Sequence, residues 1–217
     1  MPGPNKTYSN NLHATADKQN GYFTAQQAKE AGYSGRMQIY HVQNDDWERI
    51  RRGIFRFNLY PPDEHPDLMP WYLWSCNSSG KPQAVFSHDT ALAVYSIGTW
   101  RSKKVHITVP PDFRRRVIPS VITLHYAKLS SNEISKEHFV QVTTPLKTFI
   151  DLLDENLSLD FVQEALSDAI DRQLIHVQDI QQADLNKEQK KQFNKLLKQI
   201  YNERKKIYQS IRFPKRS

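Results

Sequence analysis

The sequence NGYFTAQQAKEAGYSGRMQIYHVQNDDWERIRRGIFRFNLY, residues 20–60, predicts the first structural unit of this protein. Thr24, followed three residues later by Gln27, predicts a capping box at the start of a short helix. Ser34 predicts the N-cap of a second short helix over residues 35–44, whose side chains are mostly polar. The stretch therefore predicts two helices joined by a tight turn.

A hairpin follows these helices. Residues 47–50 and 54–57 alternate apolar and polar side chains at period two, and the basic turn Arg51–Gly53 separates them. Residues 22–23 predict a short strand beside the hairpin, and residues 9–19 predict a first helix. Three helices with a small sheet and a basic hairpin are the outline of a winged helix-turn-helix, whose second helix enters the major groove of DNA.

The residue types on the second helix and the hairpin suit DNA contacts. Arg can bridge guanine O6 and N7, Gln can pair with adenine, and backbone N–H groups at a helix start can hold a phosphate. Ile39 and Tyr40 fit either the core or the groove, which leaves the phase of the helix open by one residue. A winged helix used only for protein contacts is the alternative. The predicted DNA-binding residues are Ser34, Arg36, Gln38, His41, Arg49, Arg51, Arg52 and Arg56.

The charge of the chain is concentrated at its ends. The chain has 30 Lys and Arg against 23 Asp and Glu, and a net charge of +7. Residues 186–217 hold 11 of the basic and 2 of the acidic residues, and residues 1–60 hold 8 and 5. Basic ends suit a polyanion partner. The C-terminal run is equally typical of a solvated helix face.

The composition excludes several classes of protein. The single cysteine, Cys76, rules out an internal disulfide framework and a cysteine-based zinc site. The longest apolar run is well below the roughly 20 residues that span a bilayer. The first residues lack the apolar core of a signal peptide. We therefore expect a cytoplasmic protein with no membrane partner.

The proline-rich residues 61–66 cannot form a helix, and we place a domain boundary there. The predicted domains are residues 1–60 and residues 67–217. The fold class is α+β: an N-terminal winged helix-turn-helix followed by a mixed α/β C-terminal domain that ends in a long basic helix. In the second domain, strands are predicted at residues 84–86, 105–109, 121–127 and 139–143, and helices at residues 67–76, 88–97, 146–153, 161–174 and 186–211.

Two polar motifs in the second domain have an ordinary structural interpretation. Ser87 to Thr90 reads Ser-His-Asp-Thr, but adjacent residues on one helical turn do not face each other and cannot form a hydrolase relay. We expect Ser87 to cap a helix and His88 to be buried. Thr144 is expected to cap the helix that begins at Pro145.

No metal site, cofactor or catalytic residue is predicted. None of the eight histidines forms a ligand pair at helical spacing followed by a carboxylate. A nuclease would need paired acidic residues and a lysine on a strand, and no such strand is present. We therefore predict a protein that is not an enzyme.

Five sequence blocks in order resemble the AbiEi family of antitoxins, which are also transcriptional regulators of phage-defence systems. The blocks are GYFTAQQAKEAGYS, WERIRRGIFRFNLYP, FSHDTALAVYSIG, VHITVP and VTTPLKTFIDLL, and they extend from Gly21 to Leu153. The resemblance implies a winged-helix repressor that binds double-stranded DNA at the operator of its own promoter. It also implies a C-terminal antitoxin domain that counters a nucleotidyltransferase-like toxin, as in type IV toxin–antitoxin systems, without a stable complex. The residues of the antitoxin-domain blocks singled out as a motif are Ser87, His88, Thr90, Thr144, Thr148 and Asp151.

Two other functions remain alternatives. One is a nuclease or other enzyme of the C-terminal domain, which predicts activity lost on changing His88 or Asp151. The other is an interaction module that binds the toxin directly. The long helix over residues 186–211 lies beyond the resemblance, and a polyanion contact is one of its two interpretations.

Overall fold

The computed structural model describes residues 6–61, 65, 68–98, 103–155 and 158–212. Residues 62–64 and 66–67, within the predicted connector and the start of the next helix, lie outside the described residues. The helices are α1 Lys6–Asp17, α2 Ala25–Glu30, α3 Gly35–Gln43, α4 Leu68–Trp74, α5 His88–Val94, α6 Pro145–Leu153, α7 Leu159–Asp171, α8 Val177–Gln182 and α9 Lys187–Arg212. The strands are β1 Tyr22–Thr24, β2 Trp47–Arg51, β3 Ile54–Phe57, β4 Val85–Phe86, β5 Val105–Val109, β6 Ile122–Tyr126, β7 Ile134–Glu137 and β8 Val140–Thr143.

Residues 6–61, here called the N-terminal unit, contain three helices and an antiparallel sheet with strand order β1–β3–β2. The capping box at the start of α2 is confirmed: Thr24 Oγ1 accepts from Gln27 N at 3.1 Å, and Thr24 N donates to Gln27 Oε1 at 2.8 Å. Ser34 Oγ accepts from Met37 N at 3.3 Å, which confirms the predicted cap of α3. The local sequence thus determines where both short helices begin.

The core of the N-terminal unit is aromatic. Phe23 is fully buried, and its ring lies 4.8 Å from the rings of both Trp47 and Phe57. Leu12 and Ala16 of α1 close the other side of this core. Gly21 has φ +85°, and a Cβ there would lie 2.4 Å from the Tyr60 ring, so only glycine fits.

Residues 68–212, here called the body, contain a five-stranded mixed sheet with the order β6–β5–β4–β8–β7. β5 pairs parallel with β6 and antiparallel with β4, which in turn pairs parallel with β8. The helices α5 and α6 contact each other, and α5 also contacts β5 and β8. An apolar cluster that includes Phe149, Leu166 and Phe193 joins α6, α7 and α9 on this side.

The N-terminal unit contacts the body through its sheet. Tyr22 and Ile54 belong to the same apolar cluster as Leu68 and Trp71 of α4, together with residues of the body sheet. The predicted boundary at residues 61–66 stays a prediction, and buried contacts cross it.

The α+β class is confirmed, whereas several boundaries differ from the predictions. α1 begins at Lys6 rather than residue 9, and α5 ends at Val94 rather than residue 97. α8 and β7 were not predicted, because each is short and lacks a clear apolar period. No helix among the described residues has the length and hydropathy needed to cross a membrane.

Candidate functional site

The solvent-facing side of α3 is the first candidate site. Ile39 and Tyr40 are 60% and 61% exposed, which resolves their orientation: both face solvent. Met37 and Val42 are partly buried and pack against the N-terminal core. A cation, an amide, an aromatic ring and an aliphatic side chain therefore share one exposed face. This face consists of Arg36, Ile39, Tyr40 and Gln43.

Gln38 was predicted to contact DNA, and its position is not consistent with that role. The residue is only 7% exposed. Its Nε2 donates to the carbonyl of Tyr33 at 3.0 Å and to that of Ala25 at 3.1 Å. Both amide hydrogens are therefore used to join α3 to the start of α2 and to the turn between the two helices.

His41 was also predicted to contact DNA, and it too points away from the exposed face. Its ring stacks on Trp47 with centroids 4.8 Å apart. Its Nδ1 lies 2.8 Å from Asp46 Oδ2, and only 15% of the side chain is exposed. The ring is held by the core and by the turn after α3.

The predicted arginines of the hairpin occupy three different environments. Arg49 and Arg52 are exposed. Arg51 is also exposed on one side, but its guanidinium lies 3.5 Å above the Trp71 ring of α4. Arg56 points back toward the chain, since it donates to the Asn20 carbonyl at 3.4 Å and to the Pro61 carbonyl.

An apolar groove of about 250 Å³ separates the exposed part of α3 from the hairpin. Ile39 and Gln43 line one side, and Arg49 and Phe55 line the other. Ser34 is exposed at the start of α3, where the free backbone N–H groups of the helix lie. Among the described residues no acidic side chain lines this groove; Arg49 lines it, and Arg36 and Arg52 are exposed on α3 and on the turn of the hairpin.

The Ser87 motif is buried rather than exposed. Ser87 occupies the N-cap position of α5, but its side chain makes no capping bond, so that prediction is wrong in its detail. Its Oγ instead accepts from Thr108 Oγ1 at 2.8 Å and lies 2.9 Å from His88 Nδ1. Thr90 Oγ1 accepts from the backbone N of His106 at 2.8 Å. The motif therefore joins α5 to β5.

The Thr144 motif is also structural. Thr144 stands at the N-cap of α6 with Pro145 after it, but its side chain makes no capping bond, unlike the prediction. Thr148 donates to the Thr144 carbonyl at 3.0 Å and lies 2.7 Å from the Thr143 hydroxyl. Asp151 pairs with Lys147, and burial raises the pKa of this carboxyl despite that partner.

Three histidines that sequence reasoning treated as scattered lie together in the body. One ligand-capable nitrogen of each of His88, His106 and His125 lies within 4.8 Å of the others. His106 Nδ1 lies 3.1 Å from His125 Nε2. Glu155 Oε1 lies 3.7 Å from His88 Nε2 and 3.9 Å from His125 Nε2. We call these four residues the histidine cluster.

The rings of the histidine cluster are kept neutral by their surroundings. Burial, with smaller contributions from His125 and His106, lowers the pKa of His88 to about 3. Burial and His106 lower the pKa of His125 to about 4. Burial also lowers the pKa of His106 and raises that of Glu155. Neutral imidazoles have lone pairs available at neutral pH.

The sequence had no local signal for the histidine cluster, because its members lie 18 or more positions apart along the chain. The strands that carry His106 and His125 were predicted, and only their parallel pairing was not. In the N-terminal unit, assigning both Met37 and Val42 to the core fixes the phase of α3 and predicts that Gln43 is exposed.

Comparisons of the sequence with known proteins give no match, whereas the comparison of structures gives a distant likeness. No protein-family profile matches the sequence, and no curated protein matches it. Among solved structures, the chain is similar to the crystal structure of the RV2827C protein from Mycobacterium tuberculosis, with a TM-score of 0.40 and 12% identity. That match covers 74% of this chain and 71% of the other. A match this weak does not support any conclusion about fold or function.

Proposed function

We propose that this protein binds duplex DNA through the N-terminal unit, folded as a winged helix-turn-helix, and that it represses its own operon. The element order supports the proposal: a helix, a strand, two helices and a hairpin, with the strand order β1–β3–β2. In this arrangement α3 enters the major groove and the hairpin of β2 and β3 lies against the backbone.

The observation that carries the proposal is the exposed face of α3 beside exposed arginines of the hairpin. Arg36 and Gln43 offer the donors that read guanine and adenine, and Tyr40 offers an aromatic edge with a hydroxyl. Arg49 and Arg52, both exposed on the hairpin, would contact phosphates. Arg51 mainly stabilises the packing of the hairpin against α4, since its guanidinium lies over Trp71.

The experiment is a fluorescence-anisotropy titration with duplex DNA from upstream of the gene. We expect Arg36→Ala to weaken binding by about 1–3 kcal/mol, which is the range for one base-reading arginine. The matched control is the double variant Lys128→Ala/Lys136→Ala, which removes two exposed cations of the body and should leave affinity unchanged. An equal loss of DNA affinity in the Arg36→Ala protein and in the control would contradict the assignment of DNA binding to the exposed face of α3.

The body is proposed to act as an antitoxin against a nucleotidyltransferase-like toxin. The order of the five sequence blocks, three of which lie in the body, supports this antitoxin proposal. The buried positions of Ser87 and Thr148 favour a structural role for those block residues. The DNA and toxin partners together imply a cytoplasmic site of action.

A growth assay separates the two parts of the proposal. Cells that express the neighbouring toxin should recover when this protein is supplied from an unrelated promoter. The Arg36→Ala variant should rescue equally well, because repression is not needed under that promoter. Failure of the wild-type protein to restore growth would remove the antitoxin role and leave DNA binding untouched.

The exposed cations of α9 support a weaker, additional polyanion contact. Lys195, Lys198, Lys205 and Lys206 are exposed, whereas Arg204 is paired with Asp171 at 2.8 Å. If α9 adds phosphate contacts, replacing Lys195 and Lys198 lowers the salt dependence of binding.

A further inference from the structure

We propose that the histidine cluster binds one divalent transition-metal ion, with Zn²⁺ the best chemical match, at a structural site in the body. The ligands would be His88 Nε2, His106 Nδ1, His125 Nε2 and a carboxylate oxygen of Glu155. Neither the DNA-binding nor the antitoxin proposal depends on this site.

The pairing of β5 with β6 brings two of the ligands together. In the parallel register His106 lies opposite Thr123, and Thr108 lies opposite His125. Residues two apart on a strand point to the same face of a sheet, so His106 and His125 are diagonal neighbours on one face. His88, at the start of α5, and Glu155, just after α6, approach from the helices that cover this face.

The separations are close to those of a four-coordinate site. Four ligand atoms at 2.0–2.1 Å from a tetrahedral zinc ion lie about 3.4 Å from one another. The separations in the cluster are 3.1 Å between His106 and His125, 3.7 Å from Glu155 to His88, and 3.9 Å from Glu155 to His125. The three nitrogen ligands are all within 4.8 Å, so shifts of about an ångström complete the tetrahedron.

A hydrogen-bonded pair of hydroxyls orients the most buried ligand. Thr108 Oγ1 donates to Ser87 Oγ, and Ser87 Oγ lies 2.9 Å from His88 Nδ1. When His88 Nδ1 donates to Ser87, the lone pair of its Nε2 faces the cluster. Metal-binding histidines commonly use their second ring nitrogen in this way, and the outer partner tunes metal affinity.

Metal binding predicts a defined rearrangement of the rings. His88 and His125 are stacked with centroids 3.6 Å apart, so one of these rings must tilt to direct both Nε2 atoms at one ion. The hydrogen bond between His106 and His125 places one proton between their ligand atoms. That proton must move to the other nitrogen of its ring, which changes a tautomer and leaves the proton count of the neutral rings unchanged.

The donor set selects the class of ion. Three imidazole nitrogens and one carboxylate suit Zn²⁺, Co²⁺, Ni²⁺ or Cu²⁺, whereas Mg²⁺ and Ca²⁺ prefer sites made only of oxygen. A set of four protein ligands leaves no open position for a substrate, and this is typical of structural rather than catalytic zinc. The ion would join β5 and β6 to the covering helices.

The test is metal titration of the full chain after dialysis against a chelator. We expect one equivalent of Co²⁺ to bind with the visible absorption of tetrahedral Co²⁺, and Zn²⁺ to displace it. His125→Leu should weaken Zn²⁺ binding more than about 100-fold, and Ser87→Ala about 10–100-fold, the range for an outer-shell partner. The histidine resonances of the wild-type protein should report the tautomer change.

The control is His138→Asn, which removes an exposed histidine outside the cluster at a position with φ +45° that asparagine tolerates. It should bind metal as the wild type does. If His125→Leu fails to fold, Glu155→Gln replaces it, since that side chain is 30% exposed. Absence of the tetrahedral absorption, or equal affinity in the ligand variants and the control, would overturn the proposal.

Discussion

Most of the polar residues that the sequence singles out in the N-terminal unit are exposed, whereas none of those that it singles out in the body is exposed. The N-terminal unit presents Arg36, Gln43 and Arg52 to solvent, on a small aromatic core. The body buries His88 and Thr148 in its interior, where hydrogen bonds and neighbouring rings satisfy them. Exposed polar groups fit recognition of a partner, whereas buried ones fix the positions of the elements that carry them. The comparison therefore supports the proposed recognition surface on the first region, and it shows how buried polar groups hold together the elements of the second.

The aromatic core of the N-terminal unit should support the proposed recognition surface, so a change in this core should have the greatest consequence. Phe23→Ala removes a fully buried ring and should lower the free energy of unfolding by about 3–5 kcal/mol. DNA binding should be lost with the structure of the N-terminal unit. Chemical denaturation and anisotropy titration measure the two effects.

The matched variant in the body is Phe149→Ala, which also removes a fully buried ring. It should destabilise the protein by a similar amount, about 3–5 kcal/mol, while the folded fraction still binds DNA. Loss of DNA affinity in the folded Phe149→Ala protein would show that DNA binding also depends on the core of the body, contrary to this prediction.

The next effect compares two glutamines on α3. Gln38→Leu leaves the carbonyls of Tyr33 and Ala25 without their donor and should cost about 1–3 kcal/mol of stability. Its folded fraction should keep its preference among DNA sequences. Gln43→Ala should change stability by less than about 0.5 kcal/mol, because the side chain is exposed.

The DNA titration of the Gln43→Ala protein should show a weaker preference for the upstream duplex. The opposite pattern, with sequence preference altered by Gln38→Leu alone, would show that Gln38 leaves its buried position when DNA binds.

A smaller effect distinguishes two neighbouring arginines. Arg52→Ala should reduce the slope of log affinity against log salt by about one, as expected for one lost phosphate contact. Arg51→Ala should instead lower stability by about 0.5–1 kcal/mol, because its guanidinium lies over the Trp71 ring. If the two variants give the same slope of log affinity against log salt, the proposed difference between a phosphate contact of Arg52 and a structural role of Arg51 is wrong.

The smallest effect compares two threonines at N-cap positions. Thr24→Ala in the N-terminal unit should cost about 1 kcal/mol, because the Thr24 side chain completes a capping box. Thr144→Ala in the body should stay within about 0.5 kcal/mol, because its side chain makes no capping bond. Thermal unfolding of the two variants checks the contrast, and equal losses would refute it.

Features that depend on neighbouring residues were predicted from the sequence. The capping box of Thr24 and Gln27, the cap at Ser34 and the hairpin around Gly53 all follow from local hydrogen bonding and turn geometry. The buried position of Gln38 was not predictable in the same way. It depends on where the Tyr33 carbonyl points after the turn between two helices.

Features that depend on strand register could not be predicted from the sequence. The alternation that predicts β5 and β6 does not say that they pair in parallel, nor that Thr108 lies opposite His125. The contact between His88 and His125 needs that register and the packing of α5 on the sheet. Ser87 illustrates the same limit, since Thr108 on β5 engages the hydroxyl that the local pattern assigned to a cap.

Sequence-specific DNA binding by the N-terminal unit can be measured by titrating the full chain with two duplexes of equal length. One carries the region upstream of the gene, and the other has the same base composition in scrambled order. At physiological salt we expect the affinity for the upstream duplex to be about 10³-fold higher or more, the lower end of the range for specific binding. Equal affinity for both duplexes, or no binding to either, would contradict it.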